Sequence, residues 1–350
     1  MESLRDLAAG VICAGFDESV ADAIAQCRNL PLAGFVLFSR NADSVGDARR
    51  LSDALRKIYK DLPPILAIDQ EGGRVARLRE QAVGIPSAQA IGETRRPELA
   101  QRAGAQIGHD LRRAGINLDF APVLDLALLS DNTVIGSRAF SSDPDVVTEL
   151  GRAFANGLSN SGIVPTFKHF PGHGSTAVDS HYALPVVEAD EETLRLRDLV
   201  PFARLLPDAD VVMTAHIIFK AFDLDRPATL SAALLTDLLR KRVRFPGVCF
   251  TDCMQMDAIA QSVGSEEGAV QALIAGADCI LISNSLDLAR KTALAIEKAV
   301  ESERLPLERL GEAYSRVKTL RRKLSEPLPL DAAAPDPDIG KAIERAAAAA

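Results

Sequence analysis

Eight short apolar runs alternate with longer amphipathic segments along the chain, and nearly every run ends on polar residues. With a length of 350 residues, these observations predict an α/β fold, a (β/α)8 TIM barrel in a single domain. Near-continuous apolar strands suit a parallel sheet covered on its faces, and eight βα units fit within about 250 to 300 residues. A doubly wound open sheet is the rival, but it needs no polar strand ends all round.

The expected strands are Val11–Phe16, Gly34–Phe38, Ile65–Ile68, Leu118–Val123, Ile163–Phe167, Val211–His216, Gly247–Thr251 and Cys279–Ile282. Between them the sequence predicts helices over Glu18–Asn29, from Ser44 (Ala48, Leu51, Leu55 and Ile58 on one face), over Pro97–Ala114, and from Pro144. Further helices are expected over Glu191–Leu206, over Ser231–Arg242 and from Leu286. Residues 1–325 form the expected catalytic domain. Residues 326–350, Ala-rich with scattered Pro, read as a peripheral tail without a core-forming stripe.

Composition narrows the function. Forty basic against 48 acidic residues give a net charge of −8, which argues against nucleic acid. No apolar stretch approaches membrane-spanning length, and the start of the chain lacks the basic and apolar runs of a signal peptide. Five Cys without CxxC spacing read as buried thiols. The expectation is a soluble, cytoplasmic protein.

The most informative stretch is Lys168-His169-Phe170-Pro171-Gly172-His173-Gly174, which runs on to Asp179-Ser180-His181. Lys, three His and one Asp within fourteen residues are too many polar groups for a turn, and Pro171 and Gly172 deny a helix. They read as a shaped binding or catalytic loop. In a barrel, functional groups lie at C-terminal strand ends, where Asp69, Asp125, Lys168, His169, His216 and Asp252 fall. Carboxylates, Lys, Arg and His around one mouth suit a polyol. Asp252 is a candidate nucleophile by position, and Asp179 is placed to orient His181 for proton transfer.

His173 reads as a loop brace, Asp125 as a capping or supporting carboxylate, and His109 as a surface residue of a helix. His216 is divided between contacting ligand and shaping the floor of the site. Cys253 reads as packing. With neither HExxH nor a strand-end HxH, no metal and no cofactor are expected.

Taken together, the 168–181 stretch, Asp69-Gln70-Glu71-Gly72-Gly73-Arg74-Val75-Ala76-Arg77, Ile135-Gly136-Ser137-Arg138-Ala139-Phe140, Val212-Met213-Thr214-Ala215-His216 and Thr251-Asp252-Cys253-Met254-Gln255-Met256 resemble glycoside hydrolase family 3. The similarity is to its single-domain β-N-acetylhexosaminidase branch and runs from about Gly34 to Asn284. It implies removal of terminal β-linked N-acetylglucosamine with retention, the partner being a carbohydrate such as a muropeptide in peptidoglycan recycling. By that resemblance Asp252 is the nucleophile, and His181 paired with Asp179 is the acid/base. Asp69, Arg77, Arg138, Lys168 and His169 bind the sugar. Relatives often carry Asp after the nucleophile, where this chain has Cys253. The competing expectations are a β-glycosidase of other specificity, a sugar phosphorylase, and a carbohydrate-binding barrel without catalysis.

Overall fold

The computed structural model describes residues 2–27, 30–129, 132–176 and 184–350. Nine parallel strands form one nearly closed barrel: β1 (Ile12–Ala14), β2 (Gly34–Leu37), β3 (Ile65–Ile68), β4 (Leu118–Asp119), β5 (Val164–Pro165), β6 (Phe167–Phe170), β7 (Val211–Thr214), β8 (Val248–Cys253) and β9 (Cys279–Ile282). Their order is β5-β4-β3-β2-β1-β9-β8-β7-β6. The two ends of this order are therefore the segments flanking Thr166. Alternation along each strand divides the core into two layers. Cys13, Val36, Ala67, Phe120, Met213, Phe250 and Leu281 fill the barrel interior, with Phe120 and Phe250 packed edge to face. The opposite faces meet the helices.

Local chemistry sets the helix ends. Ser44 caps the Val45–Arg56 helix by accepting from Asp47 N at 3.0 Å. Pro occupies the first turn of Pro97–Arg113 and of Pro144–Asn160, where its missing N–H costs nothing. Those two helices pack closely because Gly157 has no side chain; a Cβ there would lie 2.1 Å from Gln101 O.

Several expectations are corrected. The fourth strand stops at Asp119, short of the expected Val123, and Pro122 follows with no N–H for a ladder. Lys168 and His169 lie within β6 rather than in the loop after it. The 191–206 helix is two helices, Glu191–Leu196 and Val200–Leu205. Helices Ala88–Thr94, Ser265–Ala275 and Leu307–Arg322 were not foreseen. The last places Val317 and Leu320 in the interior cluster, so it plugs the barrel. Arg309 and Arg316 on it pair with the fully buried Asp278. His109 is buried rather than on the surface.

The C-terminal segment is more than a peripheral tail. It ends in a helix, Ile339–Ala347, whose Ile339 and Ile343 join the core. Asp336 N donates to Gln106, and its carboxylate pairs with Arg102. Gly340 lies so near the 84–86 loop that a Cβ would meet Gly84 O at 2.2 Å.

Candidate active site

The end of β3 turns directly into a small hairpin, Gln70–Gly72 against Val75–Ala76. Its reversal uses the positive φ of Gly72 (94°) and Gly73 (55°), a conformation open to Gly. A side chain at Gly72 would also run into Pro86 O. Buried Gln70 closes the hairpin, accepting from the N–H of Arg77 and Leu78 and donating to Leu78 O. Two acids are thereby fixed at the barrel mouth, Asp69 at the strand end and Glu71 on the hairpin.

Lys168 reaches both of them from across the barrel. Its Nζ lies 2.8 Å from Asp69 Oδ1 and 2.6 Å from Glu71 Oε1. Arg138 grips Glu71 with two bonds, Nε at 2.8 Å and Nη2 at 2.7 Å, the bidentate geometry that suits guanidinium and carboxylate. Arg77 sits 3.4 Å from Asp69. Burial raises the Glu71 pKa, but Arg138 and Lys168 outweigh it and hold the carboxyl well below its usual range. Asp69 is likewise low, Lys168 and Arg77 overcoming its burial. Burial favours neutral Lys168, yet Asp69 and Glu71 keep it charged with a raised pKa.

A second buried carboxylate organises the histidines. Asp125 accepts His169 N, His169 Nδ1 at 2.6 Å and His173 N at 2.6 Å. Its burial is overcome by His169, so it is ionised and its pKa lowered. Nδ1–H of His169 must therefore donate, which fixes the tautomer and leaves Nε2 for the cavity. Asp125 is thus the supporting carboxylate that its position suggested. His173, whose pKa burial lowers, lines the cavity as well as bracing the chain. Beyond it, Asn132 holds His173 O and Thr176 O, and Arg197 donates to Ser175 Oγ at 2.8 Å.

On the opposite wall, Asp252 is the penultimate residue of β8, its Oδ1 accepting Cys253 N at 2.7 Å. Gln255 accepts from Ser283 N and Asn284 N, clasping this strand end to that of β9. Cys253 is half-buried against the cavity, and its burial pushes the thiol pKa up.

Asp69, Arg77, Arg138, Lys168, His169 and Asp252 therefore line one cavity of about 300 Å³. His216 is not among its lining residues. Its ring is fully buried, with Nδ1 2.8 Å from Thr229 Oγ1 and Nε2 3.0 Å from Cys253 O. The geometry favours the floor over sugar contact. Asp179 and His181 lie outside the described residues. Glu71 was missed as an individual site residue, although its place two residues beyond a strand-end Asp was a usable signal.

Residues 11–320 match the family described as Glycosyl hydrolase family 3 N terminal domain. The chain is 38% identical over 291 residues to a Beta-hexosaminidase of Pseudomonas aeruginosa (strain LESB58), covering 82% of this chain and 86% of that protein. It is 35% identical over 322 residues to Beta-hexosaminidase A of Pseudoalteromonas piscicida, covering 84% of this chain but 54% of that protein, so it spans about half the length of that relative. Among solved structures, a glycoside hydrolase family 3 beta-N-acetylglucosaminidase from Paenibacillus sp. str. FPU-7 superimposes with a TM-score of 0.93 at 35% identity, covering 99% of this chain and 68% of that one. No helix among the described residues is long and apolar enough to cross a membrane.

Proposed function

The chain belongs to glycoside hydrolase family 3, and on that premise we propose that it removes terminal β-linked N-acetylglucosamine with retention of configuration. The observation that carries this reading is the shared cavity, in which Asp69, Lys168, Arg138 and His169 face Asp252, with buried Glu71 pairing Lys168 and Arg138. At about 300 Å³ it is at the small end of ligand cavities and suits one terminal sugar. Its array presents charged donors and acceptors to hydroxyls. We read the barrel as (β/α)8, with the segments flanking Thr166 forming one interrupted strand.

In the proposed reaction Asp252 attacks the anomeric carbon, forming a glycosyl-enzyme ester as the glycosidic C–O bond breaks. His181, oriented by Asp179, gives its proton to the leaving oxygen. It then takes a proton from the water that cleaves the ester, releasing the sugar and restoring Asp252. Asp69, Arg77, Arg138, Lys168 and His169 hold the sugar. The substrates of this reading are muropeptides in cytoplasmic peptidoglycan recycling; what the resemblances to beta-hexosaminidases support is the N-acetylhexosamine specificity.

The test is hydrolysis of nitrophenyl β-N-acetylglucosaminide and β-glucoside by wild type and Asp252→Ala, with and without phosphate. Turnover of the N-acetyl compound alone, lost in the variant and giving free sugar, is expected. Preference for the glucoside would replace the substrate. A sugar phosphate as product would make the protein a phosphorylase, and no turnover of either glycoside would favour a binding barrel.

A further inference from the structure

Between the end of β7 and the end of β8 lies a polar chain that no sugar contact explains. Thr214 Oγ1 and Thr229 Oγ1 are 2.7 Å apart, Thr229 Oγ1 is 2.8 Å from His216 Nδ1, and His216 Nε2 is 3.0 Å from Cys253 O. Thr214, His216 and Thr229 are all fully buried. A carbonyl oxygen only accepts, so Nε2 carries the proton. With that tautomer Thr214 donates to Thr229, Thr229 donates to Nδ1, and Nε2–H donates to Cys253 O. The single Thr229 hydroxyl proton is shared between Nδ1 and Ala215 O, the latter 3.1 Å away.

The receiving residue is the one whose own N–H holds Asp252 Oδ1 at 2.7 Å. Cys253 is thus pinned at both ends, its carbonyl by a buried imidazole and its amide by the carboxylate it orients. Rotation of the backbone at Cys253 would move that N–H away from Asp252. Gln255 clasps the following turn to Ser283 and Asn284, and Met256 N also donates to Cys253 O at 3.1 Å, so His216 is the side-chain donor of the two that hold this carbonyl.

We propose that His216 is a positioning residue, which through the carbonyl of Cys253 holds the backbone N–H that orients Asp252 for attack. This inference rests on the reading of Asp252 as nucleophile. Misplacing a reacting group by about 1 Å costs roughly 100-fold in rate. His216→Phe, which keeps a ring but no donor, should therefore lower kcat on nitrophenyl β-N-acetylglucosaminide by about 100-fold. KM should stay within about threefold, because no sugar contact is lost. In His216→Gln the amide nitrogen can reach the position of Nε2, and at least about tenfold of the lost kcat should return. His216→Asn, too short to reach it, should not recover.

The variants are measured beside Asp252→Asn, each with a thermal melt. A folded His216→Phe with wild-type kcat overturns the inference. So does a loss carried by KM alone, which would return His216 to sugar binding, and so does equal kcat in the Gln and Asn variants. If the Phe variant does not fold, the comparison of Gln with Asn decides alone. Turnover persisting in Asp252→Asn would instead remove the nucleophile reading, whereas an inactive Asp252→Asn beside a fully active His216→Phe would sink only the positioning role.

Discussion

The two walls of the cavity are built on different physics. On one, Asp69, Glu71, Lys168 and Arg138 are side chains from β3, its hairpin, β6 and the 135–140 segment, desolvated and held by one another's charge. On the other, Asp252 is oriented by the N–H of the next residue, and that residue by backbone and neutral groups. Removing one partner of a buried ionic set leaves an uncompensated charge, so the first wall couples stability to binding. The second concentrates chemistry in a local turn. Its changes should cost activity and little fold.

Asp252→Asn tests the separation most sharply. We expect kcat to fall by roughly 10⁴-fold or more, as loss of a nucleophile commonly requires, while the thermal midpoint moves by less than about 2 °C. A large drop in midpoint would mean that the nucleophile wall is also structural.

Lys168→Met attacks the other wall. It strips Asp69 and Glu71 of a shared cation, and breaking a buried pair costs about 3–5 kcal/mol, which is many degrees of midpoint in a chain of this size. Adding Glu71→Gln should cost much less than the sum, because contacting residues are not additive. Additive losses would dissolve the array into independent contacts.

The same wall sets the response to pH. Asp69, Glu71 and Asp125 have lowered folded-state pKa values. Their contribution is therefore present above the ordinary carboxylate range near 4 and is lost as pH falls through the folded values. Lys168 has a raised pKa, so its contribution is complete below its ordinary value and is lost only as pH rises beyond that. Melts of the wild type should decline slightly below the ordinary His value near 6.5, where unfolding lets His173 take up a proton, and fall steeply below about pH 4. Glu71→Gln should flatten part of the acid slope, and an unchanged slope would remove Glu71 from it.

The smallest effect is expected far from both walls, at Gly340→Val. The new side chain collides with Gly84 O, and overpacking costs about 1–3 kcal/mol. The 84–86 loop supports the Gly72–Gly73 turn, so KM should rise a few-fold with kcat nearly unchanged. A kcat loss as large as the KM effect would tie the C-terminal helix to the nucleophile wall instead.

Much of this was legible because strand periodicity and strand-end polarity are local. The apolar runs at Gly34–Leu37, Ile65–Ile68, Val211–Thr214 and Cys279–Ile282 each became a barrel strand. Asp69, Lys168, His169 and Asp252 reached the mouth for the same reason, as side chains at or near the C-terminal ends of parallel strands. The tail was misread because Ile339 and Ile343 make a stripe too short to register. It becomes a core face only against the Ala88–Thr94 and Pro97–Arg113 helices, far earlier in the chain.

The sequence by itself determined the alternation, the polar strand ends and the residue types assembled at the mouth, since propensity and pattern act over a few neighbours. Only the tertiary structure decided which charges meet. Glu71 joins Lys168 and Arg138 because a hairpin turned by two glycines points it across the barrel. His216, which the sequence leaves divided between ligand contact and floor, becomes a buried donor because β7 and β8 lie side by side. Pairings of that kind depend on distances between groups far apart in the chain, and those exist only after the barrel has formed.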